Sequence, residues 1–426
     1  MKTCNIDILG DPRFPSPLPM PIPENIRVPS SASWPDGKAP GDLLLFEMAG
    51  ARKNLFFNPA ETRAAIVTCG GLCPGLNNVI RSVTRELRRS YGVQSVLGIR
   101  GGYRGLDPSR GKPPIELTDD FVEDIHIKGG TDIETSRGPV DTNTAVDFLI
   151  EQQIDILFTV GGDGTQRGGR DLHQEAERRG HPLSVVGIPK TIDNDVRFVS
   201  RSFGFTTAVS EAVGVIDSAH TEAHSVNNGL SIIKLMGRNA GFIAAAATVA
   251  SQEVNFCLIP ELPFALAGPN GLLQALEKRL DLKHHAVIVV AEGAGQDLLD
   301  ESNSTDASGN KKLQDIGTFL RDAITDHFNS RGIEMVMRYL DPGYQIRGCP
   351  ANEEDSILCD RMARHAVHAA MSGRTGLVIS YLNGQFVHVP IELITAGGKS
   401  GGKRIDLEGE LWRGVLATTG QPLKFG

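Results

Sequence analysis

Three short stretches hold residues whose types and spacing suit chemistry on phosphate. In Pro189-Lys-Thr-Ile-Asp-Asn-Asp195, two carboxylates stand two residues apart beside Lys190 and Thr191. Packing does not call for such a group. One carboxylate can accept a hydroxyl proton while the other helps to hold a metal. In Gly161-Gly-Asp-Gly-Thr165, glycines permit close backbone approach, and Asp163 can hold Mg2+ directly or through water, or cap the helix that follows. Cys69-Gly-Gly-Leu-Cys-Pro-Gly-Leu-Asn77 is a glycine-rich turn able to aim N–H groups at phosphate. No Gly-Lys-Ser/Thr follows, so it is not a P-loop, and alone it is equally a structural turn.

Each stretch sits where a strand ends. The pattern predicts strands at Ala64–Cys69, Ser95–Ile99, Ile156–Val160, Ser184–Ile188, Leu230–Leu235, Phe256–Ile259 and Ala286–Val290. Between and after them it predicts helices at Asn77–Arg89, Thr142–Gln153, Gly168–Arg179, Thr207–His220, Ala240–Ala250, Gly271–Leu282 and Glu353–Met371. Strands alternating with helices mean βαβ units and mainly parallel sheets. The number of strands calls for two such domains, and ligands are expected beyond the strands' carboxyl ends.

The remaining chain is read by composition. Nine of the 24 prolines fall in the first forty residues, so 1–62 is expected to be an extended arm on the body or on a neighbouring subunit, or else a disordered tail. Gln296–Lys312 is polar and aperiodic, which predicts a mobile surface loop. The tail from Thr395 starts rich in glycine and lysine, with a last helix over Asp406–Leu416. The net charge of −8 excludes a general nucleic-acid binder, and the six scattered cysteines are read as reduced structural thiols. The longest apolar runs are strand-sized and no leader pattern opens the chain, so a soluble cytoplasmic protein is expected. Glycine is over-represented, at 48 of 426 residues, and clusters at the predicted strand ends.

Taken together, the motifs resemble the 6-phosphofructokinase family from about Arg63 to Pro390. They are GGLCPGLN (Gly70–Asn77), GGDGT (Gly161–Thr165), PKTIDND (Pro189–Asp195), KLMGRNAG (Lys234–Gly241), the Pro260-Glu261 pair, AEGAG (Ala291–Gly295) and GYQIRGCP (Gly343–Pro350). GGDGT alone is shared with NAD kinases and diacylglycerol kinases; the joint order is specific. The resemblance implies two Rossmann-like domains with mainly parallel sheets. Residues 63–203 with 344–390 are expected to bind nucleotide. Residues 204–343 with 391–426 are expected to bind fructose 6-phosphate and to include the C-terminal tail.

It also implies roles. Gly71, Tyr103, Arg137, Gly138, Gly164, Thr165 and Gly168 match the ATP site, and Asp163 the Mg2+ position. Asp193 matches the base that takes the proton from the sugar 1-hydroxyl, with Thr191, Asp195 and Lys190 beside it and Arg238 on the transferring phosphate. Met236, Gly237, Glu292, Tyr344 and Arg347 match the fructose 6-phosphate pocket, and Arg338 a sugar-phosphate contact that bacterial relatives supply from the neighbouring subunit. A homotetramer is implied, with ATP and fructose 6-phosphate as partners and no nucleic acid or membrane. Two positions depart from the short bacterial enzymes, which have histidine at Tyr344 and arginine at Gly229. Tyr344 and Lys190 instead resemble the pyrophosphate-using and trypanosomatid-like branches. Pyrophosphate enzymes commonly carry a second aspartate at position 164, which would crowd and repel the α-phosphate of ATP. Gly164 with Lys190 resembles the ATP-dependent trypanosomatid and plant branch, with pyrophosphate as the alternative donor.

Overall fold

The computed structural model describes residues 1–34, 43–300, 304–305, 312–396 and 402–426. Its frame is two sheets. The larger is built on β1 (Arg63–Thr68), β2 (Ser95–Ile99), β3 (Ile156–Gly161) and β4 (Ser184–Pro189), which run parallel. The smaller has β5 (Gly229–Leu235), β6 (Phe256–Leu258), β7 (His285–Ala291) and β8 (Val336–Leu340), all parallel in the order β6-β7-β5-β8. The chain then returns to the large sheet. There β9 (Leu377–Leu382) joins β4 in parallel and β10 (Gln385–Pro390) joins β9 antiparallel.

These strands are apolar on both faces because helices cover both. In β1 and β3, Ile66, Ile156, Phe158 and Val160 face the core shared with α1 (Leu76–Arg85) and α8 (Glu353–Met371). Ala65, Val67 and Leu157 face α2 (Thr142–Glu151) and α3 (Asp163–Arg178). In the small sheet, Ile233, Leu235, Val287 and Val289 pack on α4 (Phe205–His224), α5 (Phe242–Ser251) and α9 (Glu410–Thr419). Leu230, Ile232, Ile288 and Val290 pack on α6 (Leu272–Lys283) and α7 (Ile316–Ser330). Continuous apolar runs of this kind are what doubly covered parallel strands need.

The strand order places the site. From β1 the chain goes to β2 on one side and then to β3 and β4 on the other. The crevice between the ends of β1 and β3 is therefore a topological switch point, where open α/β sheets take ligands. All three chemistry-bearing stretches lie at this edge: Cys69–Asn77 after β1, Gly162–Thr165 after β3, and Lys190–Asp195 after β4.

The N-terminal segment lies along the large sheet. Leu44–Met48 pairs with β10, Arg27–Pro29 pairs with Leu44–Met48, and Lys2–Thr3 adds the outermost strand. Buried charge fixes it there: Arg52 Nη2 and Arg374 Nε donate to Glu47 Oε1 at 2.5 and 2.6 Å, with His388 Nδ1 3.1 Å from the same oxygen.

Several elements differ from expectation. The helix predicted from Gly168 begins five residues earlier, at Asp163, with Gly162 as its cap. The helix predicted to Arg89 is α-helical only to Arg85 and then winds as a π-turn over Glu86–Tyr91, which buries both Leu87 and Tyr91. The last helix is shifted to Glu410–Thr419. The short helix Ile391–Thr395 still packs against α3 on the large-sheet side, although 391 was the expected start of the other domain's tail. Of the expected loop 296–312, a 3-10 turn at Gln296–Leu298 is seen, while 301–303 and 306–311 lie outside the described residues, as does 397–401 of the glycine-rich tail. Among the described residues no helix is long and apolar enough to cross a membrane, and all six cysteines are free, five of them buried.

Candidate active site

On the large-sheet side, the turn after β1 is clamped from two directions. Gly70 N–H donates to Ser136 O at 2.9 Å, and Thr135 Oγ1 donates to Gly70 O at 2.9 Å. Lys190 Nζ donates to Gly71 O at 2.6 Å. The Arg137 guanidinium lies 3.3 Å from where a Gly71 Cβ would stand, so Gly71, Arg137, Gly138 and Lys190 gather at one spot. Burial lowers the Lys190 ammonium below its usual range.

The early start of α3 makes GGDGT the helix's first turn. Thr165 and Gln166 N–H both donate to Gly162 O, at 2.9 and 3.0 Å. The N–H groups of Asp163 and Gly164 are first-turn donors with no carbonyl of their own helix to meet. Gly164 is exposed, and a Cβ on it would meet only Arg167 Nη2, at 3.9 Å. The protein itself does not need glycine there; the space above it is open.

Tyr103 and Gly168 sit differently from what a ligand contact requires. Tyr103 is 5% exposed, and its hydroxyl donates to Thr165 O at 2.6 Å. A Cβ on Gly168 would lie 2.5 Å from its ring. Both residues, with buried Thr165, support the first turn of α3 from beneath rather than facing the crevice. Gln166, which sequence reasoning missed, bolts the same turn to the sheet: its Nε2 donates to Gly161 O at 2.9 Å.

The turn after β4 is hydrogen-bonded to itself. The Thr191 hydroxyl accepts Asp193 N–H at 3.2 Å and donates to Asp195 Oδ1 at 2.7 Å. Asn194 has left-handed backbone, φ +55°, and its Oδ1 accepts Ser202 N–H at 3.0 Å. The Ser202 hydroxyl donates to Thr191 O at 2.6 Å. Ser202 lies eleven residues from Thr191, beyond any local motif, so no signal in the sequence marks it.

This turn presents Asp193. Its Oδ1 is buried with no hydrogen-bond partner among the described residues. Burial first, then the Asp195 and Glu292 carboxylates, push Asp193 well above the usual carboxylate range, against Arg238 N–H and Lys190. Asp163 rises to about 6, through burial and then Asp195, with Arg167 opposing. Carboxylates that raise one another in this way are short of positive charge. Among the described residues no cluster of three or more His, Cys, Asp or Glu side chains could hold a metal alone. Asp163 and Asp195 do fit Mg2+, which usually takes one or two carboxylates and completes its shell with phosphate oxygens and water.

The small-sheet side faces this turn. Its loops follow β5 and β7, whose ends are register partners at Leu235 and Ala291. Glu292 N–H donates to Leu235 O at 2.9 Å and Gly293 N–H to Gly237 O at 3.1 Å, knitting Met236–Arg238 to Glu292. Gly237 has φ +131°, which a residue with Cβ rarely adopts, and Gly293 abuts the Arg238 carbonyl. Burial raises the Glu292 carboxyl, while Arg238, Lys234 and Arg347 oppose it. Arg238, Lys234 and Arg347 thus lie within electrostatic reach of Glu292, and Glu292 within electrostatic reach of Asp193. Arg347 stacks its guanidinium 4.3 Å over the Tyr344 ring, which is 82% exposed.

Arg338 is not brought to this group. It follows the register of Ser231 on the face of β5 and β8 that meets α4, and its Nη2 is 3.0 Å from Glu222 Oε1. Gly229 lies against the Ala223 carbonyl, where any side chain would collide. That contact explains why no arginine stands there.

The phosphofructokinase family model matches residues 63–370. An ATP-dependent 6-phosphofructokinase of Borreliella burgdorferi is 46% identical over 389 residues, covering 90% of this chain and 86% of that protein. ATP-dependent 6-phosphofructokinase 7 of Arabidopsis thaliana is 44% identical and covers 99% of this chain and 88% of that protein. The Trypanosoma brucei brucei ATP-dependent 6-phosphofructokinase is 47% identical over 88% of this chain and 76% of its own length. In fold, the chain matches a pyrophosphate-dependent phosphofructokinase from Marinobacter aquaeolei, with TM-score 0.69, 20% identity, and 86% and 92% of the two chains covered. It also matches Pichia pastoris phosphofructokinase in the T-state, with TM-score 0.65, 23% identity, and 84% and 37% covered. With its motifs in order around one cleft and the family model spanning most of its length, the chain belongs to the phosphofructokinase family.

Proposed function

We propose that the chain transfers the γ-phosphoryl group of ATP to the 1-hydroxyl of fructose 6-phosphate, giving fructose 1,6-bisphosphate and ADP. One observation carries the reading: a buried carboxylate oxygen with no hydrogen-bond partner among the described residues, Asp193 Oδ1, on the turn that follows β4 beside the phosphate-type crevice and within electrostatic reach of Glu292. Asp193 takes the proton of the 1-hydroxyl. The freed oxygen attacks the γ-phosphorus, and the bond to the β–γ bridging oxygen breaks to release ADP. Burial and the neighbouring carboxylates raise the proton affinity of Asp193, which is what a base taking a hydroxyl proton needs.

Positioning and charge do the rest, as phosphoryl transfer demands. Gly71, Arg137, Gly138 and the first turn of α3 at Gly164 take the donor phosphates, with Tyr103, Thr165 and Gly168 fixing that turn. Thr191 orients Asp193 and Asp195. Lys190 and Arg238 meet the transferring group. Met236, Gly237, Glu292, Tyr344 and Arg347 form the sugar-phosphate pocket, Arg347 offering a planar fork to the phosphate. Asp163 and Asp195 would hold Mg2+, which would supply neutralising charge to the phosphate oxygens. Arg338, exposed on the edge strand β8 beside α4, serves a neighbouring subunit's site in a homotetramer. In this reading, 63–203 with 344–390 and the Ile391–Thr395 helix form the nucleotide side, 204–343 with the rest of the tail bind the sugar phosphate, and the enzyme is cytoplasmic.

The donor rests on Gly164, whose open side leaves room for the α-phosphate, and on relatives whose names specify ATP. A coupled assay with each donor and Mg2+ tests the function. Product with ATP and fructose 6-phosphate is expected; product with pyrophosphate and none with ATP reverses the donor, and no product with either refutes the reading.

A further inference from the structure

The geometry points to Lys403 as a positioning residue for this reaction: it holds the turn that carries Asp193 and Asp195 and ties it across the cleft to the loop that carries Arg238. The inference rests on the proposed function for its chemical consequence and on the strap of residues 402–405 for its physical content.

The turn is uneasy on its own. Two residues with side chains, Asn194 at φ +55° and Phe198 at φ +58°, hold left-handed backbone within five positions. Such backbone is unfavourable for a residue with a Cβ and persists only where the surroundings over-determine it. Two holds come from β9: the Ser380 hydroxyl donates to Phe198 O, and Ser200 N–H donates to Tyr381 O at 2.9 Å. Neither reaches the other side of the cleft.

Lys403 does. Its N–H donates to Asp195 O at 2.6 Å, and its Nζ donates to Val199 O at 2.9 Å and Ser200 O at 3.2 Å. The same ammonium lies 5.0 Å from the ring centre of Phe242, the first residue of α5. Two residues on, Ile405 N–H donates to Glu261 Oε1 at 2.9 Å, and both Glu261 oxygens accept Gly241 N–H at 3.1 Å. Gly241 ends the loop that contains Arg238. Four residues of the tail thus link the carbonyls of the Asp193 turn to the amino end of α5. The direct cross-cleft bond, Arg238 N–H to the Asp193 carboxylate, spans the same gap. Lys403 fixes both edges of that gap with a charge-assisted pair of hydrogen bonds and a cation–π contact.

Small misplacements of this kind cost catalysis rather than binding. The test is Lys403→Met and Lys403→Arg in the full chain, read in two ways. Steady-state kinetics with ATP and fructose 6-phosphate should show kcat of Lys403→Met lowered about 10–100-fold with little change in either KM. Lys403→Arg should recover most of kcat, because a guanidinium can also donate to both carbonyls and stack on Phe242. Hydrogen–deuterium exchange, without substrate, should speed up at the Ser200 and Ser202 amides in Lys403→Met and stay unchanged in β5. Unchanged kcat, or unchanged exchange in the turn, overturns the proposal. A wild-type chain that turns over neither donor refutes the function instead, and the exchange measurement still reports on the tether.

Discussion

At the residue scale, charge placement decides the outcome. Asp193 is buried among carboxylates, so its proton affinity is high, and its Oδ1, without a hydrogen-bond partner among the described residues, is poised to accept. Asp193→Asn keeps the shape and removes the basicity. Its kcat is expected to fall about 10²–10⁴-fold with KM for fructose 6-phosphate nearly unchanged. The acid limb of the wild-type kcat–pH profile reports the same group: activity is full where Asp193 is ionised and falls as pH drops through its raised pKa. Gly164→Asp isolates the donor. The added Cβ finds open space, so stability should hold, while its carboxylate joins Asp163 and Asp195, already short of positive charge. KM for ATP is expected to rise at least about tenfold, the worth of roughly 1.4 kcal/mol of repulsion; a melting curve and a KM measurement on the same sample check both halves. The types of these residues were legible in the sequence, because carboxylates two apart at a strand end have little packing use. The setting of Tyr103 was not: an aromatic side chain that faces a ligand and one that props a helix from below are written with the same letter.

At the scale of elements, the active-site turns are short and their supports lie elsewhere. The strands were legible because doubly covered parallel strands must be apolar throughout, and β1, β3 and β4 are. The start of α3 was not. Asp163-Gly-Thr-Gln-Arg-Gly-Gly lacks apolar periodicity and holds three glycines, so propensity argued for a loop. Tertiary contacts override it: Gln166 bonded to Gly161 O, and Tyr103 bonded to Thr165 O while packed on Gly168. Gly168→Ala tests that support. The new methyl meets the Tyr103 ring 2.5 Å away, closer than packing allows. A loss of about 1–3 kcal/mol in denaturant unfolding is expected, with KM for ATP raised and KM for fructose 6-phosphate little changed. A variant as stable as wild type would show that the ring moves aside freely.

At the scale of the whole molecule, the chain's ends are fastened by buried groups that have no part in the chemistry. The N-terminal segment meets the large sheet at Glu47, Arg52, Arg374 and His388, and α8 adds His365 and His368 nearby. Proline content marked this segment as extended, but only the folded sheet reveals that Leu44–Met48 pairs with β10, since the two are more than 330 residues apart. Burial, the first cause in each case, lowers His388 and His368 to about 4 and His365 to about 3. In the unfolded chain each titrates near 6.5. Depressed folded values mean that the unfolded state binds the extra protons. Stability is therefore full above about pH 6.5 and falls as pH drops toward 4, by up to about 1.4 kcal/mol per pH unit for each imidazole. Glu47, lowered to about 2 despite its burial by hydrogen bonding and charge from His388 with added charge from Arg374 and Arg52, extends the loss below pH 4.5. Urea unfolding at pH 7.5, 6.0 and 5.0 should show the slope. His365 stacks on Phe386 at 4.6 Å, so His365→Phe keeps an aromatic ring there and deletes one titrating group. That variant should reduce the slope between pH 6 and 5 by up to about 1.4 kcal/mol per pH unit, the share of one imidazole. A slope unchanged from wild type would mean that His365 is already neutral in the unfolded chain or charged in the folded one, and the neutral-histidine account of acid sensitivity would fail.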